Sequence, residues 1–243
     1  MFDFLSKIAS FFYRIWAYFQ MALWLIILGP IVYISTFFNN FSFTNSIIWL
    51  WSWLVFYLSG MRFTLFSDQK ISQKQYIIIA NHTSIFDIML MYLLHRNLHL
   101  TFVGKKELVK IPIFGAVYKR VCILVDRESR KSRTRVYDLA AEKLKNGKSL
   151  VIFPEGGVPD EKVVLDNFKD GAFSIALQTQ IPILVYSFVG LKEAFPFHLF
   201  KGKPKRIKVY FEKIILTQNY SVSDRNSIKN EAFKLIYNRL LNH

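Results

Sequence analysis

Between Arg14 and Arg62 the chain has no Asp, Glu, Lys, Arg or His. A helix at the surface of a soluble domain needs a polar face, and nothing in this stretch supplies one. Cysteine is almost absent as well: Cys122 stands alone, which excludes an intrachain disulfide and any zinc site built on paired cysteines. No Gly-x-Ser-x-Gly elbow occurs, so a serine nucleophile of the hydrolase type is not expected. Acidic residues are scarce, 17 against 32 basic ones, giving a net charge of +15 that calls for an anionic partner. Helix-turn-helix and zinc-finger spacings and aromatic RNA-binding signatures are missing, so lipid headgroups or a phosphorylated substrate fit that charge better than nucleic acid.

What the uncharged stretch does contain is Trp, Phe, Leu and Ile. Of the 243 residues 52% are hydrophobic, with 24 Phe and 5 Trp. Trp16 to Phe38 is long enough to cross a bilayer, since about 20 apolar residues at 1.5 Å each match the hydrocarbon thickness. Asn39 to Ser46 reads as a polar loop, and Ile47 to Leu58 as a second apolar helix too short for a full crossing. The expectation is a helical hairpin that enters and leaves the membrane on one side, with Gly29-Pro30 permitting a bend. Lys7 and Arg14 before it and Arg62 and Lys70 after it fit cytoplasmic ends. Asp3 beside Lys7, and the lack of a small-residue cleavage site, do not fit a cleaved secretory signal.

Beyond the hairpin, apolar stretches of strand length alternate with amphipathic stretches of helix length. This predicts an α/β fold, a mixed, largely parallel sheet flanked by helices. The domain expectation is a membrane-binding hairpin over 1–62 and one catalytic domain over 63–243. Strands are expected at Tyr76–Ala80, Leu100–Val103, Cys122–Val125, Ser149–Phe153, Ile183–Phe188 and Ile207–Phe211. Helices are expected at Ser84–Leu94, capped by Thr83 or Ser84, and at Ser129–Leu144, Ala172–Thr179 and Ser227–Leu241.

Three strand ends carry polar residues. Tyr76–Ala80 runs into Asn81-His82-Thr83-Ser84-Ile85-Phe86-Asp87. Ligands of open α/β sheets gather beyond the carboxyl ends of strands, so His82 stands where a substrate would sit. A following carboxylate at Asp87 would hold one ring N–H and stabilise the imidazolium formed when the other nitrogen takes a proton. The plain alternative is a hydrogen-bonded loop histidine with a favourable charge in a helix's first turn. Phe153-Pro154-Glu155-Gly156-Gly157 is a second strand end, either a turn that admits a ligand close to its backbone or an ordinary Pro-Gly turn. Cys122–Val125 delivers Asp126-Arg127, either a fork for phosphate oxygens or a local ion pair.

In combination and in this order, His82 to Asp87, Asp126-Arg127, Phe153-Pro154-Glu155-Gly156 and Ile181-Pro182-Ile183 resemble the four sequence blocks of the glycerolipid acyltransferases, in particular the lysophosphatidic acid acyltransferase branch. The resemblance runs from about Tyr76 to Val189. Gly104-Lys105-Lys106-Glu107-Leu108, Pro112-Ile113-Phe114-Gly115 and Phe168-Lys169-Asp170-Gly171 agree with it. It implies acyl transfer from a thioester, acyl-CoA or acyl carrier protein, to the sn-2 hydroxyl of lysophosphatidic acid at a bilayer, with no metal and no further cofactor. By the same resemblance His82 is the general base and Asp87 its orienting partner. Arg127, Glu155, Gly156 and Gly157 bind the acceptor, and Lys105 helps to hold its phosphate. One departure bears on the headgroup: where the family continues Thr-Arg-Ser after the block-three glycine, this chain has Gly157-Val158-Pro159. An amino-acid-containing lysolipid is therefore an alternative acceptor, and a lysolipid hydrolase or a membrane-coating protein are alternatives of other classes.

Overall fold

The computed structural model describes residues 2–38, 40–72 and 75–243. The elements are α1 (Phe2–Ser35), α2 (Phe41–Leu58), β1 (Arg62–Phe66), β2 (Ile77–Ala80), α3 (Phe86–Leu94), β3 (Leu100–Lys105), α4 (Phe114–Val121), β4 (Ile123–Val125), α5 (Arg130–Lys145), β5 (Ser149–Val151), α6 (Gly171–Thr179), β6 (Ile183–Val189), α7 (Leu191–Ala194), β7 (Arg206–Ile215) and α8 (Arg225–Leu241). Seven strands form one sheet in the order β1-β7-β6-β2-β5-β3-β4. The pairs β2–β5, β2–β6, β3–β4 and β3–β5 are parallel, which is the expected α/β architecture.

The chain forms two compact units, one of residues 1–66, 83–96 and 188–209, the other of 67–82, 97–187 and 210–243. In the first, α1 and α2 make a hairpin whose two ends are fixed by hydrogen bonds. Trp16 Nε1 donates to Leu58 O at 2.9 Å, and the hydroxyls of Ser35 and Thr44 meet at 2.8 Å. Both helices are long and apolar enough to cross a membrane. The second is longer than the twelve residues expected from Ile47, because the polar segment before it is helical. Asn40 caps the helix by accepting from the Phe43 N–H, and the hydroxyls of Thr44 and Ser46 bond back to the carbonyls of Asn40 and Ser42. Asn39 lies outside the described residues.

The second unit is built around the parallel strands. All four residues of β2, Ile77-Ile78-Ile79-Ala80, are buried, as a strand covered on both faces requires. Ile77 and Ile79 share a core with Phe173 and Ala176 of α6 and with Ile228 and Ile236 of α8. Helix α5 covers the expected Ser129–Leu144 span to within a residue, and the Ser129 hydroxyl caps it by accepting from the Ser132 N–H.

Candidate active site

Strand order and register decide which loop residues meet. Because β2 and β5 are parallel neighbours with Ile78 opposite Val151, residues equally far beyond those two lie at the same level of the sheet's carboxyl edge. His82 and Glu155 are both four residues on. The Glu155 carboxylate, buried at 3% exposure, accepts the His82 backbone N–H on Oε1 at 2.6 Å and the Asp166 N–H on Oε2 at 2.9 Å. A charge taken out of water needs such donors, and here they tie the histidine loop to the loop after β5.

The imidazole of half-buried His82 lies flat on the ring of Phe153, with centroids 4.2 Å apart and planes at 12°. Phe153 is two residues beyond Val151, just past the end of β5 and before the turn that carries Glu155. Sequence reasoning took Phe153 as the end of a strand and missed this contact, which depends on the pairing of β2 with β5. The turn is closed by the Gly156 N–H donating to Phe153 O at 3.1 Å and the Lys169 N–H donating to Pro154 O at 2.7 Å. Gly156 has φ +78°, a conformation that favours glycine, and its N–H serves the turn itself.

Two cations flank this turn. A Cβ added at Gly157 would stand 3.3 Å from Arg127 Nη1, and one at Gly156 would stand 3.4 Å from Lys169 Cγ. Arg127 and Lys169 are exposed, as is Val158. Lys105 ends β3 opposite Val125, two residues before Arg127, so it reaches the same carboxyl edge. Lys169 was not singled out from the sequence, because it lies far along the chain from the glycines it covers. Among the described residues no group of three His, Cys, Asp or Glu side chains could hold a metal ion.

His82 ends the first stretch of its unit, and the chain passes directly into the turn before α3. There the fully buried Asp87 carboxylate accepts the backbone N–H groups of Thr83 and Ser84 on Oδ2, at 2.6 and 2.9 Å. The Asp87 carboxylate thus caps the turn from inside the helix, while the Ser84 hydroxyl accepts the Phe86 N–H at 3.3 Å at the start of α3 and donates to Phe195 O.

A largely parallel α/β sheet with a histidine, a clamped acidic turn and basic side chains at its carboxyl edge has the layout of an α/β enzyme, and the chain also carries two helices long and apolar enough to cross a membrane. The chain belongs to the acyltransferase family, whose model matches residues 62–189. Among curated proteins it is similar to a probable 1-acyl-sn-glycerol-3-phosphate acyltransferase of Mycoplasma genitalium, with 27% identity over 76% of this chain and 72% of that one. It is also similar to a 1-acyl-sn-glycerol-3-phosphate acyltransferase of Helicobacter pylori, with 32% identity over 54% of this chain and 56% of that one. The fold matches the crystal structure of the 1-acyl-sn-glycerophosphate acyltransferase of Thermotoga maritima with a TM-score of 0.80 at 22% identity, covering 98% and 97% of the two chains.

Proposed function

We infer that the protein transfers a fatty acyl group from an acyl thioester to the sn-2 hydroxyl of 1-acyl-sn-glycerol-3-phosphate, forming phosphatidic acid for phospholipid synthesis. The observation that carries this is the His82 loop held by the Glu155 carboxylate at the neighbouring strand end, within the acyltransferase family's segment. The acceptor hydroxyl attacks the thioester carbonyl while His82 removes its proton. The tetrahedral oxyanion then collapses, the C–S bond breaks, and the imidazolium returns the proton to the departing sulfur. General-base assistance of this kind is worth about 10²- to 10⁴-fold. Asp87 acts as the orienting partner of His82. Glu155 acts by fixing the His82 backbone, and the acceptor phosphate is met by Arg127, Lys169 and Lys105 around Gly156 and Gly157. These cations supply the charge that Val158 does not.

The protein is attached to the membrane by its apolar helices, with residues 1–62 as the attachment segment, 63–243 as the catalytic part and the site facing the cytoplasm, where the donor thioester is found. Basic residues at both ends of the apolar stretch support that orientation. The test is an acceptor panel: purified protein in lipid, labelled acyl-CoA or acyl carrier protein, and lysolipids of differing headgroup. Lysophosphatidic acid is the expected preferred acceptor, with Arg127→Ala and Lys169→Ala each raising its KM about 10-fold while kcat changes little. Preference for an amino-acid-containing lysolipid would keep the chemistry and overturn the headgroup assignment.

A further inference from the structure

A segment outside the hairpin, Ala194 to Arg206, buries Phe195 but leaves three large apolar side chains at its tip exposed. Phe197, Leu199 and Phe200 are 64%, 60% and 49% exposed. The loop is nonetheless closely built. The Lys203 N–H donates to Ala194 O at 3.0 Å, and the Lys201 N–H to His198 O at 3.2 Å. Gly202 has φ +113°, and a Cβ there would stand 2.7 Å from Ala194 O, so the closure requires glycine.

The loop is fastened to α1 by a buried arginine. Arg14 Nη1 donates to Pro196 O at 2.6 Å and to Lys201 O at 3.3 Å, and its guanidinium lies 4.2 Å from the Phe195 ring centroid. Phe11 and Phe200 stack with centroids 5.9 Å apart. Trp16 already meets the last residue of α2, so the part of α1 before it extends about 20 Å beyond the hairpin. That extension is itself apolar: Phe4, Ile8, Phe12 and Ile15 are exposed, at spacings that put them on one helix face. The loop's apolar tip is therefore continuous with an apolar helix face, and Lys192, Lys201, Lys203, Lys205 and Arg206 flank it with Glu193 as the one acid.

We propose that the Ala194–Arg206 loop is a second membrane contact, distinct from the α1–α2 hairpin. It inserts Phe197, Leu199 and Phe200 between lipids and sets its flanking lysines and Arg206 against anionic headgroups. Lipid is the occupant because the patch joins an apolar surface already long enough to need one, and because five basic residues on a chain of net charge +15 repel a second copy and attract an anionic leaflet. Rigidity favours insertion: the tip is held in shape before it meets the bilayer, so little further ordering is required. The proposal rests on membrane attachment and not on acyl transfer.

The test reads depth rather than activity. Leu199→Cys, in a Cys122→Ser background, is labelled with an environment-sensitive fluorophore, and the full chain is reconstituted into phosphatidylcholine vesicles with or without phosphatidylglycerol. Nitroxides on the lipid acyl chains are expected to reduce emission about twofold, while water-borne iodide has little effect. The quenching should be stronger with phosphatidylglycerol, and Lys201→Glu with Lys203→Glu should remove that difference. Emission quenched by iodide and not by lipid nitroxides would overturn the proposal. So would protection that grows with the protein-to-lipid ratio, which would mean contact between copies. Because no substrate is present, a protein inactive in acyl transfer still returns a clear answer.

Discussion

Phe153 lies flat against His82, and Glu155 holds the backbone of the same residue. In the proposed mechanism both contacts act by positioning the imidazole. Removing the ring by Phe153→Ala should lower kcat about 10-fold with little change in acceptor KM, and Phe153→Tyr should restore most of it, since misplacing a base costs rate rather than binding. Glu155→Gln loses one of two oxygens that accept backbone N–H groups and should likewise act on kcat. A rise in KM alone, read from initial rates over a range of acceptor concentrations, would return Glu155 to the role of acceptor ligand. His82 and Glu155 were legible in the sequence because each is a polar residue just beyond an apolar strand run, and Asp87 because it is an acid in the first turn of the helix that follows. Phe153 and Lys169 were not, since a Phe at a strand end and a Lys in a loop are ordinary until strand pairing and the path of the turn bring them to the histidine and the glycines.

Among the elements, those with an unbroken apolar run or a long helical pattern matched expectation, and those with neither were missed. Strand β2 and helix α5 carry, respectively, an unbroken apolar run and a long amphipathic helical pattern, and both lie within a residue or so of their expected bounds. Strand β1 was missed because Arg62–Phe66 follows the hairpin directly and is partly exposed along its whole length. Helix α4 was missed because it is only eight residues long with a glycine in second place. That glycine is structural: a Cβ at Gly115 would stand 1.9 Å from Val109 O, and the helix is entered through Ile113 at φ +61°. Gly115→Ala should therefore destabilise the protein by about 3 kcal/mol, measured by thermal or denaturant unfolding. At the end of α3, burial pushes His95 down from 6.5 to about 4. Below 6.5 the unfolded chain takes up a proton that the folded one refuses. Stability should thus fall as pH drops from 6.5 toward 4, by about 3 kcal/mol in all. His95→Gln should flatten that part of the profile of melting temperature against pH.

At the scale of the whole molecule, the absence of charge between Arg14 and Arg62 and the excess of basic residues elsewhere divide the labour. The apolar helices belong with lipid, and the sheet carries the polar chemistry at one edge. The order of motifs along the chain made the α/β fold and its family legible. The register of the helical hairpin and the loop fastened by Arg14 were not, because both depend on contacts between residues distant in sequence. Acyl transfer at a bilayer also joins the two halves of the reading, since the acceptor and the product are themselves lipids. The most direct test follows both products of one reaction. The purified protein in lipid vesicles is given an acyl thioester and lysophosphatidic acid, and free thiol and phosphatidic acid are measured together. Thiol and phosphatidic acid appearing in equal amounts, with both abolished by His82→Ala and by Asp87→Ala while membrane attachment is kept, is the predicted result. Thiol released with free fatty acid and no phosphatidic acid, or near-normal turnover in the His82 variant, would contradict it.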